Sequence, residues 1–522
     1  MTDSQMTRRS FLRNASILAA GAAGAATLSA CSPNSAQDSS NNLAGTGEGI
    51  EWDYEADIIA VGAGGAGLSC GIEGTVQGLS VIVLESQPTV GGSSILCNGG
   101  IAMPNTPLQR EQGIEDSVDL FYNDLVSMTK EDNNPDWLKM HCTMAEELWD
   151  WLTGMGLEFK AESLLPTQGA SVPREHHIKP ADVISTLQTQ AEADGAQIMT
   201  KTTATALIQD TSGRVVGVRA ESDNGKEITL RGKLGVVLAT NGYSRNPDMI
   251  NQYIFGTGAE NIITFTGNGD LGQGHKMAMA IGADTRHIGF ISLLTGQHPE
   301  GSAGQSCSLF HGGAILVNAE GERFVDESLG YGNVWPDVAA QTGGICYQIW
   351  DNDIAEEYAE NDSSLYSMAK LRDSGLLVEA DTLDGVADAF GIPADALKAT
   401  VDKYNSDIDT TGGDTVFGRM TQVSGVGTPP KIDNGPFFGW KTANVNYGTI
   451  GGIKHNLDMQ VIDVNGNVIP GLYVAGTICT YSNMGVVPGT IKGVGASGTG
   501  FGGSLIWGRK VAQLIKELEQ SA

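Results

Sequence analysis

Short apolar runs recur along this chain and end in glycine and other small residues. The first, DIIAV (Asp57–Val61), reads as a buried strand. GAGGAGL follows it and opens a helical stretch that continues to about Gln77. A second run, SVIVLE, reads as the next strand and ends on the acid Glu85. Two later runs repeat the habit. GVVLATNGY (Gly235–Tyr243) is an apolar strand ending in a turn of small residues, and GNVIPGLYVAGT (Gly466–Thr477) precedes a glycine-rich helix near the C-terminus. Between them lie GGAILVNAEGERFVDES (Gly312–Ser328) and helical patterns near Asp351–Tyr358 and Ala394–Ser406; the second starts after Pro393 with Asp395 in its first turn. RFVDESLGYGN (Arg323–Asn333) begins like a strand end, then reads as a loop with Tyr331 between two glycines.

The first strand, glycine turn and helix carry chemistry. In GxGxxG, Gly62 allows the tight turn, Gly64 lets backbone N–H groups reach a pyrophosphate at the helix N-terminus, and Gly67 permits close helix packing. Gly65 and Ala66 complete that turn. Glu85, with Ser86 beside it, is placed to accept hydrogen bonds from an adenosine ribose. The motif therefore predicts a dinucleotide site of the Rossmann kind.

The chain has 522 residues, enough for two to four domains, and 70 glycines, more than an ordinary mixed fold uses. Its formal net charge of −30 argues against nucleic acid or anionic lipid as a partner. The six cysteines beyond Cys31 (70, 97, 142, 307, 346 and 479) are widely scattered, with no CxxC or CxxCH. That spacing does not support haem c, zinc or an iron-sulfur cluster, and favours buried free thiols; a cluster assembled from distant cysteines stays open.

Residues 1–31 stand apart. TRRSFLRN, with Arg8 and Arg9 paired, resembles a twin-arginine export signal, and LSAC at Leu28–Cys31 resembles a lipoprotein cleavage site in which Cys31 is lipidated. Residues 32–52 read as a polar, flexible linker. The expectation is export by the twin-arginine route and association with the outer face of the cytoplasmic membrane through Cys31.

NAD and FAD are distinguished downstream, where further segments join an FAD site. VGGSSILCNGGI (Val90–Ile101), GVVLATNGY and GNVIPGLYVAGT, in that order, resemble the FAD-binding proteins of the fumarate reductase and 3-ketosteroid dehydrogenase superfamily across residues 53 to 522. The resemblance implies an α/β fold: a Rossmann-like FAD-binding domain (53–290 and 441–522) split by an inserted α+β capping domain (291–440). It implies non-covalent FAD held by Gly91, Gly92, Ser93, Ser94, Gly99 and Gly100, by Ala206, Ala239 and Thr240, and by Gly476, Thr477, Ser497, Gly498 and Thr499. Substrate would lie between cap and flavin.

The resemblance also marks departures. Fumarate reductases place a proton-donating arginine eight residues after the arginine of the RFV segment, and that count lands on Tyr331. The residues that feed that donor fall on Phe310 and Cys307, and the carboxylate-binding arginine of the last glycine-rich segment falls near Gly495. With these cations missing together, the expected substrate is a neutral enone, unsaturated lactone or acrylate-type ester. The candidate catalytic residues are Tyr331, Tyr447 and His298, with Tyr481 a further candidate beside the flavin-binding end and Asn333 and Trp335 shaping the pocket mouth. The chain is also similar to cardiac glycoside reductases. The expected function is an exported reductase of activated C=C bonds in anaerobic respiration, fed by a separate donor such as a membrane or cell-surface cytochrome. The alternatives are a ketosteroid-type dehydrogenase and a flavin electron carrier without turnover.

Overall fold

The computed structural model describes residues 44–46, 49–129, 132–165, 170–254, 262–302, 304–359, 365–423, 427–479 and 498–521. Arg8, Arg9, Cys31, Tyr481, Gly495 and Ser497 lie outside them.

β1 (Tyr54–Val61) carries the first apolar run, and Ile58, Ile59 and Ala60 are wholly buried. An interior parallel strand is covered on both faces, which is why its run is continuous rather than alternating. After the glycine turn come α1 (Gly65–Val76) and β2 (Val81–Leu84), which pairs parallel with β1; β3 (Gln197–Met199) adds in parallel beyond β2. On the other side of β1, β4 (Glu227–Leu238) runs parallel to it, and its first half also carries an antiparallel ribbon made of Val215–Glu221 and Thr203–Gln209.

From this sheet the chain passes into the cap along β5 (Thr285–Gln297). The cap holds α2 (Tyr331–Ala339) and β6 (Ile345–Trp350), and the chain returns along β7 (Phe437–Ile453), which pairs antiparallel with both β5 and β6. Phe438 and Trp440, at the start of β7, sit in the cap's core; Ile450 and Ile453, at its end, sit in the core of the nucleotide domain. The domain boundaries expected near residues 290 and 440 therefore fall inside two long paired strands. β8 (Val468–Val474) then joins the main sheet parallel to β4, and α3 (Thr499–Ser521) packs along α1. Trp507 of α3 stacks on Trp137 with centroids 4.0 Å apart.

The two helices predicted in the cap are present as Asn352–Glu357, capped by Asp351, and Ala394–Thr411, which follows Pro393. RFVDESLGYGN is not a bare loop. Arg323 reaches Glu327 at 2.6 Å and Asp414 at 2.8 Å, and Glu327 also accepts from the Leu316 N–H at 3.0 Å. These groups are buried, and burial of a charge is tolerated only with such partners. The clamp delivers Tyr331 as the first residue of α2, 9% exposed. No helix among the described residues is long and apolar enough to cross a membrane.

Candidate active site

One cavity of about 600 Å³ runs from the end of β2 to the cap. Its nucleotide end is built mainly from backbone. Gly62 has φ of +106°, and a Cβ there would stand 2.5 Å from the Ala239 carbonyl oxygen; a Cβ on Gly67 would stand 1.8 Å from that of Gly62. Strand, turn and helix can close together only with glycine at both positions. At the N-terminus of α1 Gly64 supplies no side-chain cap; the Gly65 N–H donates to Ser94 Oγ at 3.1 Å, and the next N–H groups of the first turn face the position of an anion. Glu85 is buried and braces the turn, accepting from the Ala63 N–H at 3.0 Å and the Gln87 N–H at 2.8 Å.

Ser93 Oγ accepts from Asn241 Nδ2 at 2.6 Å and from the Gly267 N–H at 2.9 Å, which leaves its own proton for a ligand. Thr240 lines the cavity, and its buried Oγ1, close against Gly274, has no hydrogen-bond partner among the described residues. A helix N-terminus without a side-chain cap from Gly64, a braced acid and the Ser93 hydroxyl with a proton to spare fit a dinucleotide cofactor.

Of the residues expected to hold FAD, Gly62, Gly64, Gly65, Ala66, Glu85, Ser86, Gly92, Ser93, Ser94, Gly100, Ala239, Thr240, Gly476, Thr477 and Gly498 line the cavity. The structure places Gly67, Gly91, Gly99, Ala206 and Thr499 behind the wall. Gly67 is turned toward Gly62, the Gly91 N–H donates to the Ala63 carbonyl, and Gly99 abuts the Ile178 carbonyl. Ala206 lies buried further along its strand, where Ala204 reaches the cavity instead. Thr499 is buried at the start of α3. Sequence reasoning missed Asn241, Gly267 and Asp270 on the lining. Asn241 left one signal, because it sits at positive φ in the TNGY turn.

At the cap end, β5, α2 and β7 supply Ile291, Leu293, Leu294, Gln297, Tyr331, Asn333, Trp335, Val445 and Tyr447. Among the described residues no Arg, Lys or His lines the cavity; its acidic side chains are Glu85 and Asp270, and burial raises Asp270 to about 6. Tyr447 is pushed up to about 12 by burial, against the pull of the Ser306 hydroxyl. Ser306 gives its own proton to Gln297 Oε1 at 3.2 Å, so its oxygen faces Tyr447 as an acceptor. His298 is not on the lining. It packs edge-on against Trp440, with centroids 4.9 Å apart, and its Nδ1 accepts from the Glu300 N–H.

Tyr331 lies over His311, rings 4.9 Å apart and 24° from parallel, and its backbone N–H donates to His311 Nε2 at 3.0 Å. Burial lowers His311 to about 3 and keeps it neutral, so its proton sits on Nδ1 and is donated to Tyr366 Oη at 2.8 Å. Phe310 and Cys307, the positions aligned with the family's proton feed, are wholly buried in the cap core. The imidazole that reaches Tyr331 stands one residue further on, within the slip of a single residue. Among the described residues no group of three or more His, Cys, Asp or Glu is placed to hold a metal, and the six cysteines are free.

Residues 57–490 match the FAD binding domain family. The chain belongs to it. This flavoprotein is 30% identical to the NADH:fumarate oxidoreductase of Klebsiella pneumoniae over 81% of its own length but 44% of that protein's. It is 26% identical to the digoxin reductase of Eggerthella lenta, covering 98% of this chain and 97% of that one. Its fold matches the open conformation of a flavocytochrome c3 fumarate reductase with a TM-score of 0.72, at 24% identity over 89% of this chain and 79% of the other. The flavoprotein is an FAD-dependent oxidoreductase with a Rossmann-like domain and a cap.

Proposed function

We propose that this flavoprotein reduces an activated C=C bond in a neutral substrate, an enone, unsaturated lactone or acrylate-type ester. The observation that carries this reading is the cap end of the cavity, where two tyrosines stand on an apolar wall and no described cation lines it. A dicarboxylate desolvated there would lose several kcal/mol per charge with nothing among those lining residues to offset it. The same wall suits an apolar ring system, and the full-length similarity to a digoxin reductase supports a bulky lactone.

When bound, FAD supplies the hydride that reaches the β-carbon. The chain's residues handle the oxygen and the proton. Tyr447 stays protonated at neutral pH and exchanges Ser306 Oγ for the substrate carbonyl oxygen, where it stabilises the developing enolate. Tyr331, on the same lining, gives its hydroxyl proton to the α-carbon. The stacked His311 and the Arg323 clamp fix its position.

The electrons come from a separate donor, which we take to be a membrane or cell-surface cytochrome. The paired arginines and Cys31 support export by the twin-arginine route, a lipid tether and a role in anaerobic respiration. The tyrosine pair also suits the reverse reaction, desaturation of a ketosteroid. One anaerobic experiment separates the two. The reduced, FAD-loaded protein is mixed with steroid lactones, enones and aryl acrylate esters, and the oxidised protein with saturated ketosteroids. Return of oxidised flavin absorbance in the first set supports the reductase; bleaching confined to the second set would replace it with the dehydrogenase.

A further inference from the structure

The helix that carries Tyr331 cannot cap its own start. Gly330 precedes α2 at φ of +78° and has no side chain to accept from the first turn. The Tyr331 N–H, the first donor that the helix leaves without a partner in its own backbone, is accepted by a side chain from another segment, His311 Nε2 at 3.0 Å. Both residues are buried, so without that bond the N–H would be an orphaned donor.

This contact fixes the chemistry of the imidazole. A backbone N–H only donates, so Nε2 holds a lone pair and the ring's single proton sits on Nδ1. A buried Nδ1–H needs an acceptor in turn, and Tyr366 Oη stands 2.8 Å away. The burial that lowers His311 to about 3 keeps a second proton off the ring. Tyr366 is itself held in place: its ring stacks on Tyr358, with centroids 5.7 Å apart, and the Ser308 N–H donates to the Leu365 carbonyl at 2.9 Å, which docks the Tyr366 segment against the His311 segment. Without the Tyr366 oxygen, the Nδ1–H is orphaned in the cap core, and a rotation of the ring that finds it another partner takes Nε2 away from Tyr331. The imidazole is also the surface on which the Tyr331 ring lies, 4.9 Å between centroids. A displaced imidazole therefore releases both the start of α2 and the phenol.

We propose that Tyr366 is a positioning residue for the proton donor: by accepting from His311 Nδ1 it holds the imidazole as the cap of α2, and so holds the Tyr331 hydroxyl where it meets the α-carbon. Leu365 lines the cavity and Tyr366 does not, so Tyr366 acts through its neighbours and not on substrate. This proposal rests on the reductase reading.

The test combines Tyr366→Phe, which removes one oxygen and keeps the ring that stacks on Tyr358, with Tyr331→Phe in FAD-loaded protein. Reoxidation of reduced flavin by the best unsaturated substrate of the unmodified protein is timed in that protein, in both single variants and in the double variant. Tyr366→Phe alone is expected to slow saturating turnover about tenfold with KM within about twofold, less than the roughly 100-fold that a misplacement of 1 Å can cost. In the Tyr331→Phe background the same change is expected to leave the rate within about twofold, since the two act as one unit. An equal fall in both backgrounds is what general loosening of the cap would give, and it overturns the proposal. So does an unchanged rate in Tyr366→Phe with Tyr331 present. A second measurement needs no loss of the hydroxyl: nitrogen NMR of histidine-labelled unmodified protein at neutral pH, with the His311 signals identified by their absence in His311→Gln. The expected ring carries its proton on Nδ1 and none on Nε2; the opposite tautomer, or a doubly protonated ring, overturns the proposal whatever the variants do. If no unsaturated compound reoxidises the unmodified protein, the reductase reading fails and the role in turnover falls with it, whereas a wrong tautomer in a protein that turns over sinks this proposal alone.

Discussion

The two ends of one cavity are built in different ways. At the nucleotide end the contacts come from backbone turns, and the side chains that matter are mostly absent ones: Gly62 and Gly67 work by having no Cβ. At the cap end the contacts are side chains carried by β5, α2, β7 and the turns between them, from residues far apart in sequence. A backbone-built site is fixed by local steric rules and changes little with its ligand's chemistry. A side-chain-built site can exchange arginine for tyrosine without altering the fold around it.

The sharpest way to break this contrast is Gly67→Val. With a Cβ 1.8 Å from the Gly62 carbonyl, the turn cannot close. The expected result is protein purified without flavin absorbance; a normally loaded variant would show that the turn is not the cofactor's cradle. At the cap end, Glu327→Ala leaves Arg323 and Arg419 buried beside a lost partner. Breaking such a pair costs about 3–5 kcal/mol. Thermal unfolding should show that loss while FAD stays bound.

Tyr447→Phe sharpens the chemical half of the contrast. Loss of one donor to a developing oxyanion lowers turnover by about 100-fold. FAD content and the reduction of flavin by an artificial donor should be unchanged. The smallest effect is on stability against pH. Burial lowers His141 and His311 to about 3 and His176, His275 and His455 to about 4. Their folded values lie below the ordinary value of about 6.5. Their contribution is therefore complete above that value and is lost as pH falls toward 4. Asp270, raised to about 6 by burial, and Asp351 and Glu357, also raised by burial, work in the opposite direction over the same range, but they are three groups against five. Melting temperature should decline gradually from pH 6.5 to 4.5. A flat profile would contradict the neutral, buried state of these histidines.

The difference between the two ends also explains what could be read from the sequence. The parallel core was legible because an interior strand must be apolar throughout, as in Ile58–Val61, and because glycine at positions 62 and 67 has a steric reason. Ala206 for Ala204, and Gly91 and Gly99 behind the wall, show that a motif marks a segment more reliably than the atoms facing the ligand. Tyr331 was singled out by counting from Arg323; it lines the cavity, and the Arg323–Glu327 clamp fixes the turn between the two. His298 did not reach the cavity, since Trp440 holds its ring elsewhere. His311 was illegible: it sits in an unremarkable local sequence, and only the packing inside the cap brings it against Tyr331 and Tyr366.

The proposed function turns on tyrosine hydroxyls standing on an apolar wall, with no cation among the described lining residues, at the substrate end. The most direct test is a matched pair, fumarate and dimethyl fumarate, which share one C=C bond and differ in charge. Reduced, FAD-loaded protein is mixed anaerobically with each, and the return of oxidised flavin absorbance is timed. The account predicts reoxidation by the diester at least about 100-fold faster than by the dianion, on the scale of a few kcal/mol for an unpaired buried charge. Equal rates, or a faster reaction with fumarate, would contradict it.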